Sequence, residues 1–184
     1  KEIFKRYPDK IAAIILEPIT GNMGVIKPIK DFVEGLRVLA DKYSSILIFD
    51  EVMTGFRVSL GGAQEILNIN PDLTTLGKII GGGLPVGAYG GKKEIMEKIA
   101  PEGSVYQAGT LSGNPISMAA GIASLEQLKS RDLYDYLNQL AEYFAKSLLD
   151  IANKNKIPLI VNQSGSMIGI FFSDKNIRNF KDVK

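Results

Sequence analysis

The 184-residue chain is 45% hydrophobic and 23% charged, the balance of a globular protein with enough residues to bury a core, for one domain and part of another. A net charge of +2 with no long basic run offers nothing for a nucleic acid or an anionic membrane surface to recognise. With neither cysteine nor histidine, disulfides, thiolate metal sites and the commonest general base are excluded, so any chemistry rests on Lys, Asp, Glu, Tyr, Ser, Thr or a cofactor.

The longest apolar run, residues 11–16, has strand length and is far too short to cross a bilayer. No signal-peptide pattern opens the chain, and a cytoplasmic protein is the expectation. Because Glu17-Pro18 ends the run, it reads as a buried parallel strand. A loop carrying Thr20-Gly21-Asn22-Met23-Gly24 follows. Pro28 then opens a helix in which Ile29, Phe32, Val33, Leu36, Leu39, Ala40 and Tyr43 keep helical spacing. Residues 46–49 form a second apolar run, so strand, helix and strand alternate as in a parallel sheet covered by helices. Asp50 therefore falls at a strand's carboxyl end, the edge at which open α/β sheets bind ligands.

A short helix is expected over residues 64–67, a third strand over 73–76, a fourth over 86–90 and a helix over 92–99. Asn114 is a good N-cap with Pro115 at the first helical position, and Ile116, Ala119, Ala120 and Ala123 form the expected buried stripe. Asp132 is expected to cap a long helix striped by Leu133, Tyr136, Leu137, Leu140, Phe144, Leu148 and Ile151. Residues 159–161 and 167–172 read as an antiparallel pair around Ser164-Gly165-Ser166. We place a boundary near residues 125–131, dividing the chain into 1–127 and a smaller 128–184 unit.

Lys78 stands out in Thr74-Thr75-Leu76-Gly77-Lys78-Ile79-Ile80-Gly81-Gly82-Gly83. An amine in apolar surroundings loses hydration, which favours the neutral form that attacks a carbonyl; a surface lysine beside a flexible loop is the plain alternative. A strand ending in Asp50-Glu51 admits two chemistries. The magnesium-binding strand of a P-loop nucleotidase would need a phosphate loop, yet Asp72 and Ile79 stand where that loop requires glycine and Ser or Thr. A dinucleotide site fares no better, since Pro85 falls where a helix should begin. The second chemistry pairs a carboxylate with a protonated pyridine nitrogen while a lysine further along forms the Schiff base. Asp50 and Lys78 suit those two jobs.

Asp50-Glu51-Val52-Met53-Thr54-Gly55-Phe56-Arg57 and Pro71-Asp72-Leu73-Thr74-Thr75-Leu76-Gly77-Lys78 together resemble the signature of class III pyridoxal phosphate-dependent aminotransferases. Met53 and Phe56-Arg57 are similar to an aminomutase branch of that family, as are Glu17-Pro18, Gly21-Asn22-Met23-Gly24 and Tyr106-Gln107-Ala108-Gly109-Thr110. The resemblance implies a fold type I α/β protein with a mostly parallel large-domain sheet and the start of a smaller α+β domain. It implies pyridoxal 5'-phosphate and pyridoxamine 5'-phosphate as cofactor, and an amino group moved within an amino acid semialdehyde by way of a diamine. An ω-amino acid aminotransferase, or a non-catalytic fragment that pairs with a partner chain, are the alternatives.

Carried onto this chain, the resemblance makes Lys78 the Schiff-base lysine and proton shuttle and Asp50 the partner of the pyridine nitrogen. Val52 would pack on the ring, Asn22 would approach its phenolic oxygen, and Glu17 would fix polar groups nearby. Thr110 would reach the cofactor phosphate of a neighbouring subunit in a homodimer. For Arg57, a substrate carboxylate, solvent and an ion pair with Glu51 all remain open. The family's chains are more than twice as long, so the chain is expected to be their lysine-bearing part.

Overall fold

The computed structural model describes residues 1–183; Lys184, the last residue of the expected second unit, lies outside them. In chain order the elements are α1 (Glu2–Arg6), β1 (Ala13–Leu16), α2 (Lys30–Lys42), β2 (Ile46–Asp50), α3 (Gly62–Leu67) and β3 (Leu73–Leu76). A 3-10 turn (Lys78–Gly81) follows, then β4 (Ala88–Gly91), α4 (Lys93–Met96), α5 (Pro115–Leu128), α6 (Arg131–Lys154), β5 (Ile160–Ser164), β6 (Met167–Phe171) and a 3-10 turn at Phe180–Val183. Four strands form one sheet in the order β1-β2-β3-β4, with β1, β2 and β3 parallel and β4 antiparallel to β3. The expected α/β class with a mostly parallel sheet is present. β5 and β6 form the expected antiparallel pair, as a separate sheet.

Alternation along β2 builds the core. Leu47 and Phe49 are wholly buried on the face that α2 covers, where Val33, Ala40 and Ile69 join them. β1 is parallel as expected, but it is not buried: Ile15 is 62% exposed, because an edge strand has one neighbour and α2 covers only one of its faces. Pro28 precedes α2 rather than opening it, and Ile29 and Phe32 stand exposed outside the buried stripe.

The opposite end of the sheet is tied by Asp72. Its Oδ2 accepts the Leu47 N–H at 2.7 Å and Arg37 Nη1 at 2.8 Å, and Lys92 Nζ meets its Oδ1 at 2.6 Å. Burial alone would push this carboxyl up; the Leu47 N–H, Lys92 and Arg37 outweigh it and hold the carboxyl below its usual range. One side chain thus joins β2, α2 and the residue after β4.

Asn114 caps α5 as expected, its Oδ1 accepting the Ile116 and Ser117 N–H groups at 3.1 and 3.2 Å. The expected stripe is wrong, however. Ile116, Ala119 and Ala123 are exposed, while Ser117 and Gly121 are buried, because α5 lies directly on the turn after β3. A side-chain carbon on Gly121 would collide with the Ile80 carbonyl, so only glycine permits that approach. On α6 the cap is Ser130 rather than Asp132, and the buried residues are Ala141, Ala145 and Ala152. Tyr136, Leu140, Phe144 and Ile151 are about half exposed or more, since the alanine face is the one that seats closely.

The two sheets share packing. Met167 of β6 lies in a core cluster with Ile19, Val25, Val58 and Ala63, and Asn162 Nδ2 donates to the Gly24 carbonyl at 3.0 Å.

Candidate active site

Parallel strands place their carboxyl ends together, and the loops after β1, β2 and β3 meet on that edge. After β1, Glu17 Oε2 accepts the Gly21 N–H at 3.0 Å and closes the turn that carries Asn22. Gly21 lies so near Met53 that a side-chain carbon there would collide with the thioether, which brings this turn against the loop after β2. A carbon on Gly77 would sit 3.2 Å from Val52 Cγ1, so the loops after β2 and β3 also touch. Glu17, Asn22, Asp50, Val52 and Lys78, expected from the sequence, therefore share one edge.

Asp50 stands beside Thr75 in the parallel register, and Lys78 follows three residues later. Asp50 Oδ1 accepts the Val52 N–H at 3.1 Å and Thr75 Oγ1 at 3.3 Å. Its Oδ2 receives no hydrogen bond among the described residues. That free oxygen can take a cationic N–H.

Lys78 is exposed, which corrects the expectation of apolar surroundings. The apolar residues after it turn the other way, with Ile80 and Gly81 buried beneath α5. Its φ of +50° is left-handed, a conformation that costs a non-glycine residue on the order of 1–3 kcal/mol and is held only where the surroundings dictate it. Here the constraint is the sharp exit from β3 into a 3-10 turn pinned under α5. An exposed primary amine next to a carboxylate-bearing strand can add to the carbonyl of a bound ligand.

Thr110 lies apart. It is exposed on the loop before α5, and no hydrogen bond joins it to Asp50 or Lys78. Its neighbours Gly109 and Leu111 line a groove with Pro85, Val86 and Ala88. Arg57 is exposed, has no ion pair among the described residues, and borders a cavity of about 630 Å³ with Phe56, Tyr134, Phe144 and Ile168. The suggested Arg57–Glu51 pair is absent because Glu51 is fully buried and occupied elsewhere. Its carboxylate accepts Thr54 Oγ1 at 2.7 Å, the Ala63 and Gln64 N–H groups at 2.6 and 2.9 Å, and Gln64 Nε2 at 3.0 Å.

Tyr134, and the buried role of Glu51, escaped the sequence reading. Tyr134 Oη donates to the Phe56 carbonyl at 2.9 Å, linking α6 to the loop after β2, and burial together with the charge of Glu65 pushes its phenol up. The one signal for Glu51 was Gly61-Gly62, a helix start that leaves N–H groups needing an acceptor.

A mostly parallel sheet with a carboxylate and a lysine on the ends of neighbouring strands defines an α/β protein with a candidate site at its carboxyl edge. The chain belongs to the Aminotransferase class-III family, whose profile matches residues 1–183. It is 58% identical over 184 residues to a glutamate-1-semialdehyde 2,1-aminomutase of Wigglesworthia glossinidia brevipalpis, covering all of this chain and 42% of that protein. Among solved structures, an omega-transaminase from Sphaerobacter thermophilus superposes with a TM-score of 0.93 at 31% identity, over 100% of this chain and 42% of that one. A glutamate-1-semialdehyde-aminomutase variant from Pseudomonas aeruginosa PAO1 in complex with PMP gives 0.82 at 26% identity, over 95% and 41%. The chain spans about two fifths of the length of the curated relatives it matches.

Proposed function

We propose that this chain supplies the lysine and the ring-nitrogen carboxylate of a glutamate-1-semialdehyde 2,1-aminomutase. The enzyme would isomerise glutamate 1-semialdehyde to 5-aminolevulinate, a tetrapyrrole precursor, by way of 4,5-diaminovalerate. The observation that carries this reading is the β2–β3 register, which sets Asp50, with Oδ2 free, beside the strand that delivers an exposed Lys78.

These residues fit pyridoxal or pyridoxamine phosphate. When bound, that cofactor supplies a ring able to accept the electron pair left as a substrate proton departs. Asp50 Oδ2 would keep the ring nitrogen protonated, its other oxygen being held by Thr75 and Val52. Lys78 Nζ would take the proton from one substrate carbon and return it to another position, a task open to an amine on a mobile stem. Val52 and Asn22 would hold the cofactor ring, and Glu17 closes the turn that carries Asn22. Thr110 serves the neighbouring subunit's cofactor phosphate in a homodimer, a role its exposed loop suits. Residues 1–127 belong to the cofactor-binding domain and 128–184 begin the small domain of a cytoplasmic enzyme.

The test is addition of pyridoxal phosphate to the protein, borohydride reduction and peptide mapping, followed by assays with glutamate 1-semialdehyde and with an external keto acid. Reduction should fix the cofactor carbon on Lys78 Nζ, and the semialdehyde should isomerise without a keto acid. The likeness to the omega-transaminase favours a second reading, amino transfer from an ω-amino acid, which a requirement for the keto acid would select. Absence of both activities and of any adduct would favour a chain that only pairs with a partner.

A further inference from the structure

We propose that Glu51 is a positioning residue that, through Gln64, sets the spacing between Asp50 and Lys78; the proposal rests on the pairing of those two residues argued above. A wholly buried carboxylate must be compensated by donors, and here four hydrogen bonds converge on it. Three of the four donors come from the start of α3, and one is the hydroxyl of Thr54. The first consequence is local. Thr54 Oγ1 and Glu51 clamp the turn whose middle residues are Val52 and Met53, and Val52 N–H is one of the two donors that orient Asp50.

The second consequence crosses between strands. Gln64 Nε2 donates to Glu51 Oε1 and also to Thr74 Oγ1 at 3.3 Å. Thr74 is on β3, immediately before the Thr75 that holds Asp50, and the same strand leads into Lys78. The Glu51 N–H adds a bond to the Thr75 carbonyl at 3.0 Å. Glu51, Gln64 and Thr74 therefore brace the carboxyl end of β2 against that of β3, one residue beyond the proposed catalytic carboxylate. Gly62 makes the brace possible: with φ +71°, it comes so close to the carboxylate that a side-chain carbon would collide with Glu51 Oε2. Strand pairing alone leaves the last residues of a strand free to fray, and a brace at that point is where precision between two reacting groups is gained or lost.

The test uses Gln64→Leu and Glu51→Gln in the cofactor-loaded protein, with unmodified protein as the reference. Gln64→Leu removes the amide that spans the strands but keeps the Gln64 backbone N–H on Glu51, so the cap of α3 survives. We expect it to lower kcat about tenfold at nearly unchanged KM, as a small misplacement of reacting groups does. The pH midpoint of the cofactor's absorbance on Lys78 should shift, and amide exchange at residues 51–54 should quicken in cofactor-free protein. Glu51→Gln should do the same more severely; should it fail to fold, Gln64→Leu decides. A Gln64→Leu protein with unaltered kcat, midpoint and exchange would overturn the proposal and leave Glu51 a cap of α3 alone. Unmodified protein that borohydride fails to label on Lys78 would instead remove the pairing itself, and the positioning role with it.

Discussion

Thr75 donates its hydroxyl to Asp50 Oδ1 at 3.3 Å from the position directly beside it in the parallel register. The bond holds Oδ1 and leaves Oδ2 without a hydrogen bond among the described residues, so the setting of the carboxylate depends on a neighbouring strand. Replacing Thr75 by Val keeps the shape and removes the donor. Loss of one hydrogen bond of about 1 kcal/mol predicts a roughly fivefold fall in activity with little change in stability. Asp50→Asn should abolish activity, because a neutral amide does not hold a ring nitrogen protonated. Steady-state rates and melting curves of the two variants check this.

Lys78 combines a reactive side chain with a left-handed backbone. Lys78→Ala and Lys78→Gly both lose the amine, and both should be inactive. Only glycine relieves the backbone. The glycine variant should therefore be the more stable of the two in the cofactor-free state, by on the order of 1 kcal/mol. Urea unfolding of the pair measures the difference, and an alanine variant more stable than the glycine one would show that the backbone is unstrained.

Asp72 makes stability fall in acid. Its carboxyl is held below its ordinary value, so its contribution is fully present above the unfolded value near pH 3.9 and disappears as pH drops through the folded value. At pH 7 Asp72→Asn should lose about 2 kcal/mol, chiefly because it weakens the bonds to the Leu47 N–H and Arg37. The gap between variant and unmodified protein should narrow as pH falls below about 4. Denaturation midpoints across that range decide it.

Gly169 of β6 lies against the turn that holds Asn22, where an added carbon would collide with the Gly24 carbonyl. Gly169→Ala must push the hairpin from that turn, at a cost of about 1–3 kcal/mol. Cofactor affinity should weaken as well, since the same turn presents Asn22. A variant with unaltered melting temperature and affinity would show that the hairpin does not support the site.

Much of this was legible from one dimension. β2, β3 and the Asn114 cap follow from apolar runs and end signals that act within a few residues, and the positions of Asp50 and Lys78 follow from where those strands stop. The stripes of α5 and α6 were misread because periodicity shows that a helix has an apolar side but not which side meets a neighbour. Gly121 and Ala141 are buried by close approach, which favours small residues, whereas Ile116 and Tyr136 have the hydrophobicity of a core position without a partner against them. The same limit misplaced β1, whose run is as apolar as β2 although it ends up on the sheet's edge.

Residue type and order along the chain singled out the groups proposed to carry the chemistry, because a carboxylate after a strand and a lysine among glycines are chemical facts before folding. Folding settled their arrangement. Glu51 and Gln64 are thirteen residues apart, and nothing in their order says that one carboxylate will gather the first N–H groups of α3 or that the same amide will reach Thr74. Those bonds exist only once β2 and β3 pair side by side and α3 is laid across their ends. The exposure of Lys78 has the same origin: Ile80 and Gly81 turn under α5, while Lys78, with its left-handed backbone, stays exposed.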